Sequence, residues 1–242
     1  MARDFDGAND NLSVTNAILT NEPITMACWF NHDLAAADFL MHIHDGTKNS
    51  GFALQTTSGS LLRIEKDASG GVNTTAGFTD GVWAHACGIF ASNTSRTVYL
   101  NGANSASNTA DVADDAPTAF RIGEDGAGGS DLAALVAEAA IWNVALTAAE
   151  VAILAKGIHP FWVQPAALVA YWPLWGRNSP EPDYVGGFNL TVTGATQAAH
   201  PPRAQMLWLP TSRGVFVPAA AGLAGHGLLL SHKRNRLVQM AA

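Results

Sequence analysis

Beyond Asp183 the sequence contains no acidic residue at all. Residues 1–199 hold all 20 Asp and Glu against 8 Lys and Arg, a net charge of −12, while residues 200–242 hold five basic residues and no acid, +5. Such asymmetry marks an interaction tail, and the acidic body disfavours nucleic acid and anionic membrane as partners. Charge is scarce overall, 14% of residues, about half the usual share. Cysteine is limited to Cys28 and Cys87. That excludes a disulfide framework, and because both lie in apolar strand-like runs, two buried thiols are expected. No apolar run reaches the ~20 residues of a membrane-spanning helix. The start, MARD running into FDGANDNLSV, lacks the apolar stretch of a secretory signal. No G-x-S-x-G, phosphate loop or C-x-x-C is present, and the Gly-rich GEDGAGGSD lacks the Lys and helix start of a nucleotide cradle.

What is present is turn chemistry between short apolar runs. The chain has 23 Gly and 11 Pro. Strand signals fall at 24–30, 39–44, 51–56, 61–66, 82–90, 96–100 and 119–123, separated by turns such as Asp45-Gly46, Asp80-Gly81 and Asn101-Gly102. Residues 132–143 are alanine-rich, yet Leu135, Ala137, Ala139 and Ile141 can line one face of a strand. The helix signal comes after them. Thr147 and Glu150 form a capping box, Val151 and Leu154 an apolar stripe, and Gly157 with Pro160 a stop, predicting one helix over 148–156. Two further strands follow within 168–176 and 188–194. The pattern predicts an all-β, two-sheet antiparallel jelly-roll sandwich with one short helix. Residues 1–199 make up the sandwich and 200–242 an extended tail, apolar and basic, without clean periodicity.

Three segments carry a family resemblance. FDGANDNLSV followed by ITMACWF, then WAHACGIFASNTSRTVYLNG, then RIGED with AEAAIWNVALTAAEVAIL, resemble the opening, middle and close of laminin-G-like, concanavalin A-like sandwich domains. The resemblance spans about residues 4–157. The order KGIHP, LVAYWPL, SPEPDYVGG and a Pro-rich end is similar to modules of tailed-phage virion proteins. It implies a non-catalytic virion protein, a capsid decoration or fibre-type component made in a host cytoplasm. Its sandwich would face outward, and its tail would dock on neighbouring subunits of a homo-oligomer through Arg203, Trp208, Arg213, Phe216, Lys233, Arg234 and Arg236. An alternative is a carbohydrate-binding module for host-surface or mucus glycans, a third a polysaccharide hydrolase.

Chemistry-bearing residues are few. For glycan binding, Trp175 beside Gly176 is the best candidate for an exposed aromatic, with Asp125 and Asp131 in the Gly-rich loop; Trp29, Trp83 and Trp142 lie inside apolar strands and are expected in the core. Asp6, Asn9 and Asp10 could offer hard oxygen ligands to Ca²⁺, as some domains of the resembled family do at a sandwich rim, but these residue types also build turns. No other cofactor is expected. His42 and His44 share a strand face without a third ligand. The E-x-D pairs Glu65-Lys66-Asp67 and Glu181-Pro182-Asp183 lack the third carboxylate of related glucanases, and the second contains a Pro unsuited to a central strand.

Overall fold

The computed structural model describes residues 1–33, 36–113 and 116–201. The chain divides into two units, Met1–Arg203 and Ala204–Ala242, and the described residues belong to the first. The docking residues expected in the tail, Arg203, Trp208, Arg213, Phe216, Lys233, Arg234 and Arg236, lie outside them.

The strands in chain order are β1 (Ala2–Asp6), β2 (Asn11–Val14), β3 (Ile24–His32), β4 (Phe39–His44) and β5 (Phe52–Thr56). Then come β6 (Leu62–Lys66), β7 (Val72–Asn73), β8 (Ala84–Ser92), β9 (Ser95–Leu100) and β10 (Ala103–Asn108). After β11 (Ala119–Ile122) and β12 (Ala133–Trp142), the helix α1 (Ala148–Leu154) and a 3-10 turn (Pro160–Trp162) precede β13 (Leu168–Trp172), β14 (Thr191–Thr193) and β15 (Thr196–Ala198). All pairings are antiparallel. One sheet runs β10-β9-β8-β3-β12-β1-β15, with β13 also on β12; the other runs β14-β2-β11-β4-β5-β6-β7. The expected two-sheet sandwich with one helix is the observed architecture.

Alternation explains the core. Met26, Cys28 and Phe30 of β3, Met41 and Ile43 of β4, Phe52 and Leu54 of β5, and Phe120 and Ile122 of β11 all enter one cluster between the sheets. Phe120 of the second sheet stacks on Trp172 of the first, ring centroids 5.0 Å apart, and Phe52 meets Phe90 edge-on at 5.2 Å. Burying each such ring contributes about 1.5–3 kcal/mol. The register pairs Ala27 with Cys87 and Cys28 with Ala86, so the two thiols point to opposite faces of one sheet. Both are free and buried, and burial pushes both thiol pKa values up.

A second, smaller cluster lies on the outer face of the first sheet. There Val151 and Leu154 of α1 cover Ala27, Cys87, Ile89, Ala140 and Trp142. This is why β3 and the end of β12 are buried on both faces. The capping box forms as read from the sequence: Thr147 Oγ1 accepts from the Glu150 amide at 3.3 Å, and Glu150 Oε2 accepts from the Thr147 amide at 2.7 Å. The helix ends at Leu154, two residues earlier than expected. Gly157, at φ +83°, donates to the Leu154 carbonyl and Ile158 to that of Ile153, closing the last turn.

The face expected for β12 is corrected by a bulge. Its register against β3 slips by one residue between Ala137 and Ala140, around Glu138 at φ +55°. Before the bulge Ala134 and Val136 face the core; after it Ala139 and Ile141 do. Leu135 and Ala137 therefore do not share a face with Ala139 and Ile141, because one inserted residue inverts the alternation. The bulge also divides the free edge of β12: β1 pairs with residues 133–136 and β13 with 139–142.

Residues 168–198 extend both sheets, β13 and β15 in the first and β14 in the second. Among the described residues no helix is long and apolar enough to cross a membrane.

Candidate functional site

The segment after β13 is held by two carboxylates. Glu181 is fully buried; its Oε2 takes Arg3 Nε at 2.9 Å and Arg3 Nη2 at 2.7 Å, and its Oε1 takes the Trp175 amide at 3.0 Å. Asp183 accepts four backbone N–H groups, from Tyr171 and Val185 on Oδ1 and from Gly186 and Phe188 on Oδ2. Both are fully engaged in shaping this segment, which removes the E-x-D pair Glu181/Asp183 as an acid–base couple. In the other pair, Glu65 is bound by Arg63 at 3.0 Å and by Gln55 at 2.8 Å, and Asp67 accepts from the Gly51 amide at 2.6 Å. Burial would raise the Glu65 pKa, but the Arg63 guanidinium holds it low.

What this scaffolding presents outward is aromatic. Trp175 is 39% exposed and Tyr184 48%, with ring centroids 5.5 Å apart and planes tilted by 59°. Gln197 Nε2 donates to the Trp175 carbonyl at 3.0 Å, and the Tyr184 amide donates to the Tyr171 carbonyl at 2.9 Å. The pair is an open wedge on a backbone pinned from three sides. Tyr184 carries no sequence signal beyond its type; its pairing with Trp175 depends on the Glu181 and Asp183 bonds.

The outer face of the second sheet is polar. A cross-strand row runs Thr191, Ser13, Arg121, His42, Ala53, Glu65. Its charged groups mostly satisfy one another: Arg121 bonds Glu124 at 2.8 Å and the Asp125 carbonyl at 3.1 Å, and Arg63 bonds Asn73 at 3.2 Å. His42 and His44 are buried with rings 5.1 Å apart. Desolvation lowers both pKa values to about 4, so both are neutral at pH 7. His42 Nε2 meets the Ser50 carbonyl at 2.8 Å and His44 Nδ1 accepts from the Gly46 amide at 3.0 Å, while His42 Nδ1 and His44 Nε2 are buried without a partner.

The remaining sequence candidates fall elsewhere. Asp125 is buried and turned into its own loop, its Oδ1 accepting from the Ala127 and Gly129 amides at 2.9 and 3.1 Å. Burial would raise its pKa, but those amides hold it low. Asp131 has a buried, unpartnered Oδ1. Among the described residues neither shares a hydrogen bond, ion pair or ring contact with Trp175. Asp6 Oδ1 caps the Ala8 amide at 2.9 Å, Asp10 Oδ2 the Asp6 amide at 3.0 Å, and Asn9 sits at φ +63°. These are turn roles. Among the described residues no group of three or more His, Cys, Asp or Glu could hold a metal ion. Burial, then the charges of Asp6 and Asp131, raise the pKa of Asp10. Trp142 is fully buried as expected, its Nε1 donating to the Val163 carbonyl at 2.8 Å. Trp29 and Trp83 are only half-buried, because α1 covers one end of the sheet and leaves their end open.

Comparison with known proteins gives the fold clearly. The solved structures that resemble it include a Bacteroides ovatus ATCC 8483 protein described as a candidate carbohydrate binding protein, at TM-score 0.64 and 18% identity. The alignment covers 81% of this chain and 58% of that one. A heptameric pentraxin from Limulus polyphemus matches at TM-score 0.51 and 16% identity over 66% of this chain and 83% of its own. Domain 4 of the Geobacillus stearothermophilus arabinanase AbnA, in complex with arabinotriose, matches at 0.50 and 19% over 64% and 76%. No curated protein sequence matches. The sequence profile of the concanavalin A-like lectin/glucanases superfamily, laminin-G type, matches residues 6–152, and the chain belongs to that superfamily.

Proposed function

We propose that this chain is a non-catalytic carbohydrate-binding domain whose sugar site is the Trp175–Tyr184 wedge. The observation that carries this reading is the exposure of two adjacent aromatic faces on a backbone fixed by Glu181, Asp183 and Gln197. Pyranose and furanose rings present C–H faces that stack on such rings, and a preformed site spends little entropy on binding. The family and two of its structural neighbours support the reading, one described as a candidate carbohydrate binding protein and the other solved with bound arabinotriose. The second sheet's face is the lesser candidate, because its charged groups already satisfy one another. The test is a glycan array followed by calorimetry of the tightest hit. Trp175→Ala, exposed and therefore foldable, is expected to weaken binding at least about tenfold. Unchanged affinity in this variant refutes the site, and an array without hits refutes the function.

A second reading concerns the setting. The segregation of charge, −12 in residues 1–199 against +5 in residues 200–242, favours a tail that binds acidic neighbouring subunits, and the resemblance of the motif order after residue 156 to tailed-phage virion modules is the ground for reading those subunits as parts of a virion. Truncation after residue 199 is expected to abolish oligomers seen by sedimentation with the full chain; oligomers that persist overturn it.

A further inference from the structure

The Trp175–Tyr184 wedge is one end of a longer aromatic series. The Tyr184 amide rests on the Tyr171 carbonyl, and the Tyr171 ring lies 5.1 Å from that of Phe161 and 4.8 Å from that of His159. Phe161 is followed by Trp162, at 75% the most exposed large apolar side chain among the described residues. Tyr171 is buried and forms the spine beneath; Phe161 and Trp162 open to solvent. Their backbone is fixed as firmly as that of the wedge. Trp162 donates to the His159 carbonyl at 3.0 Å, Phe161 to His159 Nδ1 at 3.2 Å, and the Val163 carbonyl accepts from the buried indole of Trp142 at 2.8 Å. A tryptophan held three-quarters in water on a rigid turn is an unusual surface.

We infer that Phe161 and Trp162 form a second stacking station for the same ligand, which is therefore an extended oligosaccharide chain and not a single terminal sugar. The inference rests on the carbohydrate reading above and adds the ligand class. One observation favours a glycan over a protein at these stations. With about 150–250 Å² for a whole aromatic side chain, the exposed fractions leave roughly 130–220 Å² at the wedge and roughly 170–290 Å² at the second station. A specific protein interface needs at least about 600 Å² per partner, with a continuous apolar centre. Both stations lie outside residues 6–152, the part shared with the superfamily profile, so this would be a property of the appended segment.

The experiment compares two- and six-residue cello-, xylo- and arabino-oligosaccharides by calorimetry on the full chain, with Trp162→Ala and Trp175→Ala. In the series that binds, the hexasaccharide is expected to bind at least about tenfold more tightly than the disaccharide. Trp162→Ala should return it to the disaccharide value and leave the disaccharide itself unchanged, while Trp175→Ala weakens both. Equal affinity for both lengths, or a Trp162→Ala hexasaccharide affinity equal to wild type, overturns the extended site and leaves the proposed function standing. Absence of binding to every probe overturns the inference, and an array without hits overturns the proposed function as well. A Trp162→Ala variant that loses self-association in sedimentation, with glycan binding unaltered, assigns the station to a second copy and also overturns the inference.

Discussion

Acidification from pH 7.5 to 5.0 should destabilise this protein through three histidines. Desolvation lowers His42 and His44 to about 4 and His85 to about 3, from an ordinary 6.5. The folded pKa lies below the unfolded one, so between these values the unfolded chain binds more protons. Stability is then complete above about pH 6.5 and falls as pH drops toward 4. At pH 5 each histidine costs about 2 kcal/mol, so the three together cost about 6 kcal/mol, a large part of the ~5–15 kcal/mol of a typical domain. Carboxylates held low, such as Asp125 and Glu65, titrate below this window, and carboxylates raised by burial, such as Asp10 and Glu124, act in the opposite sense and offset part of the loss. The assay is urea unfolding at the two pH values, read as a change in midpoint at constant m. Gln in place of His42, His44 or His85 cannot titrate. Each variant should be weaker than wild type at pH 7.5, where its histidine is buried and neutral, and each should lose about a third of the pH dependence. A midpoint that does not move between pH 7.5 and 5.0, or single variants that keep the full pH dependence, would refute this reasoning.

Three other outcomes follow from the scaffold. Glu181→Ala leaves Arg3 buried without its carboxylate, and a broken buried pair costs about 3–5 kcal/mol; the expected result is a lowered midpoint and early protease cleavage within 173–198, and wild-type stability would contradict it. Gly51→Ala places a Cβ 2.1 Å from the Ile43 carbonyl at φ +63°, so the hairpin must shift and the melting temperature should fall by several degrees. Thr147→Ala removes the cap of α1 and should cost about 1 kcal/mol, detectable as a small change in chemical denaturation.

Local chemistry made much of this fold legible. The strand at Phe39–His44 lies between its turn signals as read, and the capping box at Thr147 marks the helix start within one residue. Where the signal was weak, packing decided. The edge strand β10, ANSASN, is largely exposed, so no apolar period announces it. The bulge at Glu138 has no Gly or Pro to mark it, and it reversed the face expected for half of β12. The site was legible only in part. Trp175 stands out beside Gly176, but Tyr184 and Trp162 gain meaning from bonds made by Glu181, Asp183 and His159. The partner of Glu181, Arg3, lies 178 residues away. Asp125 read as a ligand because an acidic loop residue in isolation is indistinguishable from one that organises its own loop.

The most direct test uses the seven tryptophans as reporters. Their indole N–H signals can be assigned by substitution and followed by NMR while a binding oligosaccharide is added. Binding at the wedge should move the Trp175 signal strongly, move that of Trp162 only with the longer chain, and leave the buried Trp142 and Trp172 in place. Saturable binding that shifts Trp29 or Trp83 while Trp175 stays still would contradict the account.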